Sequence, residues 1–119
     1  MSTNIALPIH RFFEQHLVAE RGLSQHTILA YRDSLKLLLA FAAKHHRKSC
    51  EELTIGDLSA DAVRRFLADL EKTRCNSMRT RNARLAAIHA FFRYLATLDP
   101  RFLTQCQSVL MDMSKSAWI

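Results

Sequence analysis

Three arginines, Arg79, Arg81 and Arg84, lie close together at the start of a predicted helix. Ser77 precedes them, at the position where a helix N-cap is expected. Guanidinium groups near a helix N-terminus, where backbone N–H groups are also free, suit contacts with phosphates and with base edges in DNA. The segment therefore predicts a nucleic-acid contact. The same residues also fit the solvated first turn of a bundle helix, and charge and periodicity alone do not decide between the two readings.

The later turns of this segment are apolar on one side. Leu85, Ile88, Phe92 and Leu95 follow one another at steps of three and four, the spacing of a buried helix face. We expect one helix from about Ser77 to Thr97, anchored in a core by its C-terminal half. Its basic N-terminal end would then project from that core.

No constellation that would support catalysis is found in the sequence. Nucleophile elbows, glycine-rich phosphate loops and zinc-binding H-E-x-x-H helices are missing, and we predict no cofactor, no metal site and no small-molecule substrate. Tyr31 and Tyr94 fall on apolar stripes and are expected at the edge of the core. The carboxylates of Asp57, Asp61 and Asp69 are spaced as helix caps and solvated positions. The histidines are scattered over several predicted helices and are expected on the surface or at helix edges: His10, His16, His26, His45, His46 and His89.

Composition favours one folded domain with an anionic partner. The chain has 119 residues, 49% of them hydrophobic, and only 2 glycines and 2 prolines, which argues against an all-β fold and against disorder. A formal charge of +6 favours nucleic acid first and an anionic membrane surface second.

The cysteines and the apolar segments indicate the compartment in which the protein is expected. Cys50, Cys75 and Cys106 are widely spaced and odd in number, as expected for reduced thiols of a cytoplasmic protein. The first nine residues lack the pattern of a signal peptide. The longest apolar run, Leu37 to Ala43, is too short to span a bilayer, so no membrane partner is expected.

Apolar periodicity and capping residues predict an all-α bundle of four core helices and a C-terminal helix. We expect residues 1–113 to form this domain and 114–119 to form a tail. Gly22 should end the first helix, Ser24 should cap the second, and Asp99-Pro100 should start the fifth. The third helix is expected to start at Ser59 or Asp61 and to end before a basic loop at Lys72–Asn76. The connector before it, Glu51–Ser59, is expected to hold one turn at Thr54–Leu58. The other expected helices are Ile9–Arg21, Ser24–His46, Ser77–Thr97 and Pro100–Met113.

Three blocks, in order and at matching intervals, resemble the N-terminal core-binding domain of the tyrosine recombinase (phage integrase) family, also called the SAM-like integrase domain. The resemblance covers roughly Arg21 to Asp99. The first block, Gly22–Leu35, looks like the family's G-L-S-x-x-T-x-x-x-Y helix. The second, Leu53–Leu70, is similar to its L-T-x-x-D connector and V-x-x-F-L-x-x-L helix. The third, Ser77–Leu95, is similar to its S-x-x-T-x-N-x-R-L-x-A-x-x-x-F-F-x-Y-L helix.

In that family the domain forms half of a clamp around double-stranded DNA, with the second and fourth helices facing the duplex. Arg81 and Arg84 share a helix face, whereas Arg79 lies roughly opposite, so all three could touch DNA only if the helix end enters a groove. The residues that the resemblance implies as DNA-binding are Ser24, Gln25, His26, Thr27, Arg32, Lys36, Ser77, Arg79, Thr80, Arg81 and Arg84.

The chain departs from the family pattern in two places. The family usually has Asp three residues after the tyrosine, but here Asp33 comes two residues after Tyr31 and Ser34 occupies the usual position. The catalytic domain, with its Arg, His, Arg and nucleophilic Tyr, does not follow. We therefore expect an excised, truncated or early-terminated domain that does not cut or join DNA alone.

Two other functions compete with this reading. The fifth helix, with Phe102, Leu103 and Leu110, could mediate self-assembly of recombinase protomers into a homo-oligomer on DNA, although these residues fit a core better. A helix-turn-helix regulator would need a short recognition helix after a tight turn, and the fourth helix is too long for that role.

Overall fold

The computed structural model describes residues 4–20, 22–74 and 78–115, and the all-α prediction is confirmed because every regular element in these ranges is a helix. Helix α4 packs against α2 and α5, and α3 packs against the same two helices. The α-helices are α1 Ala6–Arg11, α2 Gln25–His46, α3 Ala60–Arg74, α4 Met78–Leu98 and α5 Leu103–Lys115; a π-helical segment covers Phe12–Glu20, and short 3-10 turns cover Cys50–Glu52, Ile55–Asp57 and Pro100–Phe102.

The first helix differs from its prediction. It begins at Ala6 rather than Ile9, because the side-chain oxygen of Asn4 accepts a hydrogen bond from the Ala6 N–H at 2.8 Å. After Arg11 the helix widens into a π-helix, which pairs residues five apart. Phe12 and Leu17 are five apart, and both are fully buried.

Glycine and serine set the boundary between the first two helical segments, as predicted. Gly22 has a positive φ of 59°, and its N–H donates to the carbonyl of Val18 at 3.2 Å. Ser24 then caps α2, its Oγ accepting a 3.2 Å hydrogen bond from the Thr27 N–H. Arg21, where the first helix was expected to end, lies outside the described residues.

Removing this cap should destabilise the fold. We expect Ser24→Ala to lower the free energy of unfolding by about 1 kcal/mol, because one of the orphan N–H groups of α2 loses its acceptor. Urea denaturation followed by circular dichroism measures the change. Ser24→Asn keeps a side-chain acceptor and is the control. An alanine variant as stable as the parent would show that water replaces the cap without cost.

The connector is more ordered than predicted. It holds two 3-10 turns instead of one, and in each a carboxylate returns to the backbone: Glu52 accepts from the Ser49 N–H at 3.0 Å, and Asp57 accepts from the Thr54 N–H at 2.9 Å. Lys48 also donates to Asp57 at 2.8 Å. This ion pair ties the basic end of α2 to the connector.

Asp57 should make the stability of the domain depend on pH. Its burial would raise its pKa, but the hydrogen bonds from Lys48 and Thr54 outweigh that effect and hold the pKa below its usual value. The stabilisation is therefore complete above the unfolded-state pKa of about 3.9 and is lost as the pH falls through the lower folded-state pKa. We expect Asp57→Asn to cost about 1–3 kcal/mol at pH 7 and to lose less stability than the parent on acidification. Denaturation curves from pH 7 to pH 2 test this, with the exposed Glu51→Gln as control; parallel curves would contradict it.

The third helix extends beyond its predicted end. Lys72–Arg74, assigned to a basic loop in the sequence, continue α3. Lys and Arg are good helix formers, and cations are favourable near a helix C-terminus. The basic character of these residues therefore does not indicate a loop.

One core joins all the helices. The four apolar residues of the V-x-x-F-L-x-x-L pattern in α3 are buried: Val63, Phe66, Leu67 and Leu70. The predicted stripe of α4 is buried at Ile88, Phe92 and Leu95 and half-buried at Leu85. In α5, Cys106 and Val109 point inwards with the preceding Phe102.

The C-terminal helix differs from its prediction at one core residue, and it makes one contact with the connector that was not predicted. Leu103, favoured as core, is 43% exposed. It is displaced because the predicted fifth helix starts as a 3-10 turn, Pro100–Phe102, which buries Phe102 and turns the next residue outwards. The side-chain amide of Gln105 donates to the carbonyl oxygens of Ile55 at 2.6 Å and Leu58 at 3.0 Å, so α5 also holds the connector. Among the described residues, none of the helices has both the length and the apolar character required to cross a bilayer.

Candidate nucleic-acid interface

Helices α2 and α4 enclose a crevice of about 260 Å³. Two of the predicted DNA-binding residues, Thr80 and Arg84, line it from α4. The full lining is Ala30, Asp33, Ser34, Thr80, Ala83 and Arg84. The crevice therefore brings part of the predicted α4 surface next to α2 residues that the sequence did not single out.

Arg84 is held in this crevice by a neutral partner. Its Nη1 donates to Ser34 Oγ at 3.3 Å, and Ser34 Oγ in turn donates to the carbonyl of Ala30 at 3.0 Å. The Nε of Arg84 is buried and has no hydrogen-bond partner among the described residues. Leaving such a donor unsatisfied costs about 1–3 kcal/mol.

Other arginines are paired with carboxylates. Arg65 contacts Asp61 at 2.9 Å, with Arg64 at 3.4 Å from the same side chain. Arg101 contacts Asp99 at 2.7 Å, and this hydrogen-bonded pairing lowers the pKa of Asp99. The charges of these three arginines are thus partly compensated within the fold. Within the described ranges, Arg84 is matched only by a hydroxyl.

The N-terminal end of α2 presents the second group of predicted residues. Gln25 and His26 are exposed. Ser24 Oγ donates to Thr27 Oγ1 at 3.0 Å while accepting from the Thr27 N–H. Ser24 and Thr27 therefore already have a structural role in capping, and Gln25 and His26 are the more accessible side chains of this end.

Arg32 and Lys36 are exposed but do not line the crevice. Arg32 follows Ala30 by two residues, which places it about 200° around the helix from the crevice side. The structure therefore does not bring these two cations into the crevice with Arg84. Ser77 lies outside the described residues; Arg79 and Arg81 belong to α4, but their side chains are outside the described part of the structure.

Sequence reasoning missed Asp33 and Ser34 as crevice residues. A serine between Tyr31 and Leu35 on the predicted core stripe was the available signal, since a buried hydroxyl needs a partner. That partner lies 50 residues away, and no local pattern indicates it.

A second cleft, of about 510 Å³, lies along a different side of α4. Its residues are mostly aromatic, imidazole or small: His16, Tyr31, Ala86, His89, Ala90, Arg93, Tyr94 and Thr97. Burial, and secondarily the charge of Arg93, lower the pKa of His89, which favours the neutral imidazole. The cleft is larger than the crevice, and its one permanently charged side chain is Arg93. The expectation that Tyr31 and Tyr94 lie at the core edge is confirmed, since Tyr31 is half-buried and Tyr94 is buried.

Among the described residues there is no metal-binding cluster, and the buried cysteine is a poor nucleophile. No group of three His, Cys, Asp or Glu side chains could hold a metal ion within them. Cys50 and Cys106 are free thiols, and burial raises the pKa of Cys106 to about 11, which leaves it protonated and unreactive near neutral pH. Cys75 lies outside the described residues.

Comparison with known proteins identifies the relatives of this fold. The family described as phage integrase, N-terminal SAM-like domain, matches residues 9–97. Two inferred integrase/recombinase proteins of Sinorhizobium fredii, y4rC and y4rD, are 42% identical over 94% of this chain and 39% identical over 93% of it. The tyrosine recombinase XerC of Pelobacter propionicus is 39% identical over 74% of the chain. The matches cover 34%, 40% and 28% of those proteins, so the chain corresponds to a minor part of each. No solved structure matches the chain.

Proposed function

The chain belongs to the family of phage integrase N-terminal, SAM-like domains, and from this premise we propose that it is a DNA-binding domain of a site-specific tyrosine recombinase or integrase. In this proposal it forms half of a clamp on duplex DNA at the recombination site. Cleavage and rejoining belong to a separate catalytic domain, and this chain does not perform them alone.

The observation that carries the proposal is the state of Arg84. A half-buried guanidinium that lines a crevice between two helices and has a neutral hydroxyl as its partner is suited to a phosphate oxygen. The net charge of +6 favours the same class of partner at longer range.

The proposed contacts come from both helices. The N-terminal end of α2 would contact the DNA backbone through the free N–H groups of its first turn and through short polar side chains. Helix α4 would supply cations. Arg32 and Lys36, which lie away from the crevice, would reach phosphates along the neighbouring strand. The proposed interface comprises Ser24, Gln25, His26, Thr27, Arg32, Lys36, Ser77, Arg79, Thr80, Arg81 and Arg84.

Fluorescence anisotropy with an arbitrary labelled duplex, titrated at several salt concentrations, tests this function. We expect binding at about 50 mM salt and a steep loss of affinity towards 200 mM, because each neutralised phosphate adds about 0.9 to the slope of log K against log salt. An absence of binding at the low-salt end would contradict the proposal.

A self-assembly module is the second candidate, favoured by apolar side chains on the surface. Leu7 is 55% exposed and lines a small crevice with Phe102, and Leu103, the residue after Phe102 in the sequence, is 43% exposed. Exposed apolar side chains of this kind suit contact between protomers of a homo-oligomer on DNA. Sedimentation velocity with and without duplex separates the two: association without DNA that Leu103→Ser abolishes would favour this role, and a monomer at high concentration would count against it.

A further inference from the structure

Ser34 is a buried polar residue in the middle of α2, with 3% of its surface exposed. Its hydroxyl hydrogen is engaged by the carbonyl of Ala30, four residues earlier in the helix. The oxygen is then left as an acceptor, and Nη1 of Arg84 donates to it. The geometry of α2 thus fixes the orientation of the hydroxyl towards α4.

A neutral acceptor has a different effect from a carboxylate at this position. The hydroxyl of Ser34 holds the guanidinium in place without cancelling its charge. A carboxylate there would form a charge-assisted pair with Arg84, as Asp61 does with Arg65 and Asp99 does with Arg101. A guanidinium paired in this way has less to gain from a phosphate.

We propose that Ser34 is a positioning residue that orients Arg84 and keeps its charge available for one backbone phosphate of bound DNA. The inference rests on the proposed function, because it assumes that the α2–α4 crevice meets the duplex. It adds to that function a residue that does not itself contact DNA but leaves the charge of Arg84 without a carboxylate partner.

Asp33 sets a limit on the crevice. Its exposed side chain lines the same space, but it forms no ion pair with Arg84 within the described residues. Adjacent helical residues point about 100° apart, so the side chains of Asp33 and Ser34 leave α2 in different directions. Its charge would oppose a phosphate in the crevice. Asp33→Asn should therefore raise affinity for duplex DNA more than Glu14→Gln, which removes an exposed carboxylate from the π-helical segment.

The decisive experiment compares the salt dependence of DNA binding for Ser34→Asp, Ser34→Ala and the parent, using a 30-base-pair labelled duplex. Ser34→Asp should reduce the slope by about 0.9, so that between 50 and 200 mM salt the parent loses about 3.5-fold more affinity than the variant. Ser108→Asp, on the exposed side of α5, adds the same charge elsewhere and is the control. In an Arg84→Ala background, Ser34→Asp should change the slope no more than Ser108→Asp does.

Ser34→Ala gives an independent readout if the aspartate variant does not fold. It removes the acceptor but leaves the charge of Arg84, so affinity should fall roughly 2- to 10-fold, the cost of ordering a free side chain on binding, with the slope unchanged. If the parent binds and both Ser34 variants keep its affinity and slope, Ser34 is merely structural and this inference is wrong. If the parent shows no salt-dependent binding, the proposed function itself fails, and this inference fails with it.

Discussion

Replacing Arg81 and Arg84 together with alanine is expected to reduce the slope of log K against log salt by about 1.8, the contribution of two phosphate contacts. Between 50 and 200 mM salt, the parent would then lose about 12-fold more affinity for duplex DNA than the variant. Arg84 lines the α2–α4 crevice. Arg81 precedes it by three residues in the sequence, the spacing at which two residues of a helix are expected to share a face. Anisotropy titrations over this salt range measure the effect, and circular dichroism checks that helicity is unchanged.

Two controls separate this contact from a general effect of charge. Arg64→Ala with Arg65→Ala removes the same number of cations from α3, where both side chains are exposed and paired with Asp61. Arg93→Ala removes a cation from α4 itself, nine residues or about 180° from Arg84. If the α3 double variant changed the slope as much as the Arg81/Arg84 variant, binding would depend on net charge and not on the proposed surface. A larger effect of Arg93→Ala would instead assign the interface to the second cleft.

The starts of α2 and of the C-terminal helical segment were predictable because the chemistry that sets them is local. Ser24 and Asp99 accept hydrogen bonds from backbone groups two or three residues away, and both caps were correctly expected. The buried stripe of α3 could likewise be identified from spacing alone. The predicted end of α3 was wrong, because nothing in the basic residues after Leu70 terminates a helix.

Features that depend on distant partners could not be found in this way. The contact between Ser34 and Arg84 joins positions 50 residues apart, so the sequence could identify Arg84 as a cation but not its neutral partner. The same holds for Gln105, whose amide contacts the connector. Arg32 and Lys36 illustrate the same point. Both are exposed, but which face of α2 lies beside α4 is decided by tertiary packing.

Apolar periodicity could not predict the π-helical segment either. In the sequence, the apolar pattern of Phe12, Phe13 and Leu17 predicts one side of an ordinary α-helix. In the structure Phe12 and Leu17 are both fully buried, whereas Phe13 is only half-buried. Burial in the core therefore selects residues five apart, a spacing that the π-helical backbone supports.

This selection predicts that the two adjacent phenylalanines contribute very differently to stability. Phe12 packs edge-on against Phe91 of α4, with ring centroids 5.2 Å apart, and also contacts Tyr94 at 5.5 Å. Phe12→Ala should lower the free energy of unfolding by about 3–5 kcal/mol through lost burial and a residual cavity. A loss of that size is a large share of the stability of a domain this small. Thermal and urea denaturation measure it, and the midpoint temperature should fall by more than about 10 °C.

Phe13→Ala is the matched control, because it removes the same side chain one position along the same segment. It should cost less than half as much as Phe12→Ala, since Phe13 keeps part of its surface in water and loses less burial. Equal losses at the two positions would mean that the segment turns as an ordinary α-helix with both rings equally packed. The π-helical register, and the explanation of it through Phe12 and Leu17, would then be wrong. A large difference in the expected direction would tie the N-terminal segment to α4 through Phe12, and so link the stability of this segment to the helix that carries Arg84.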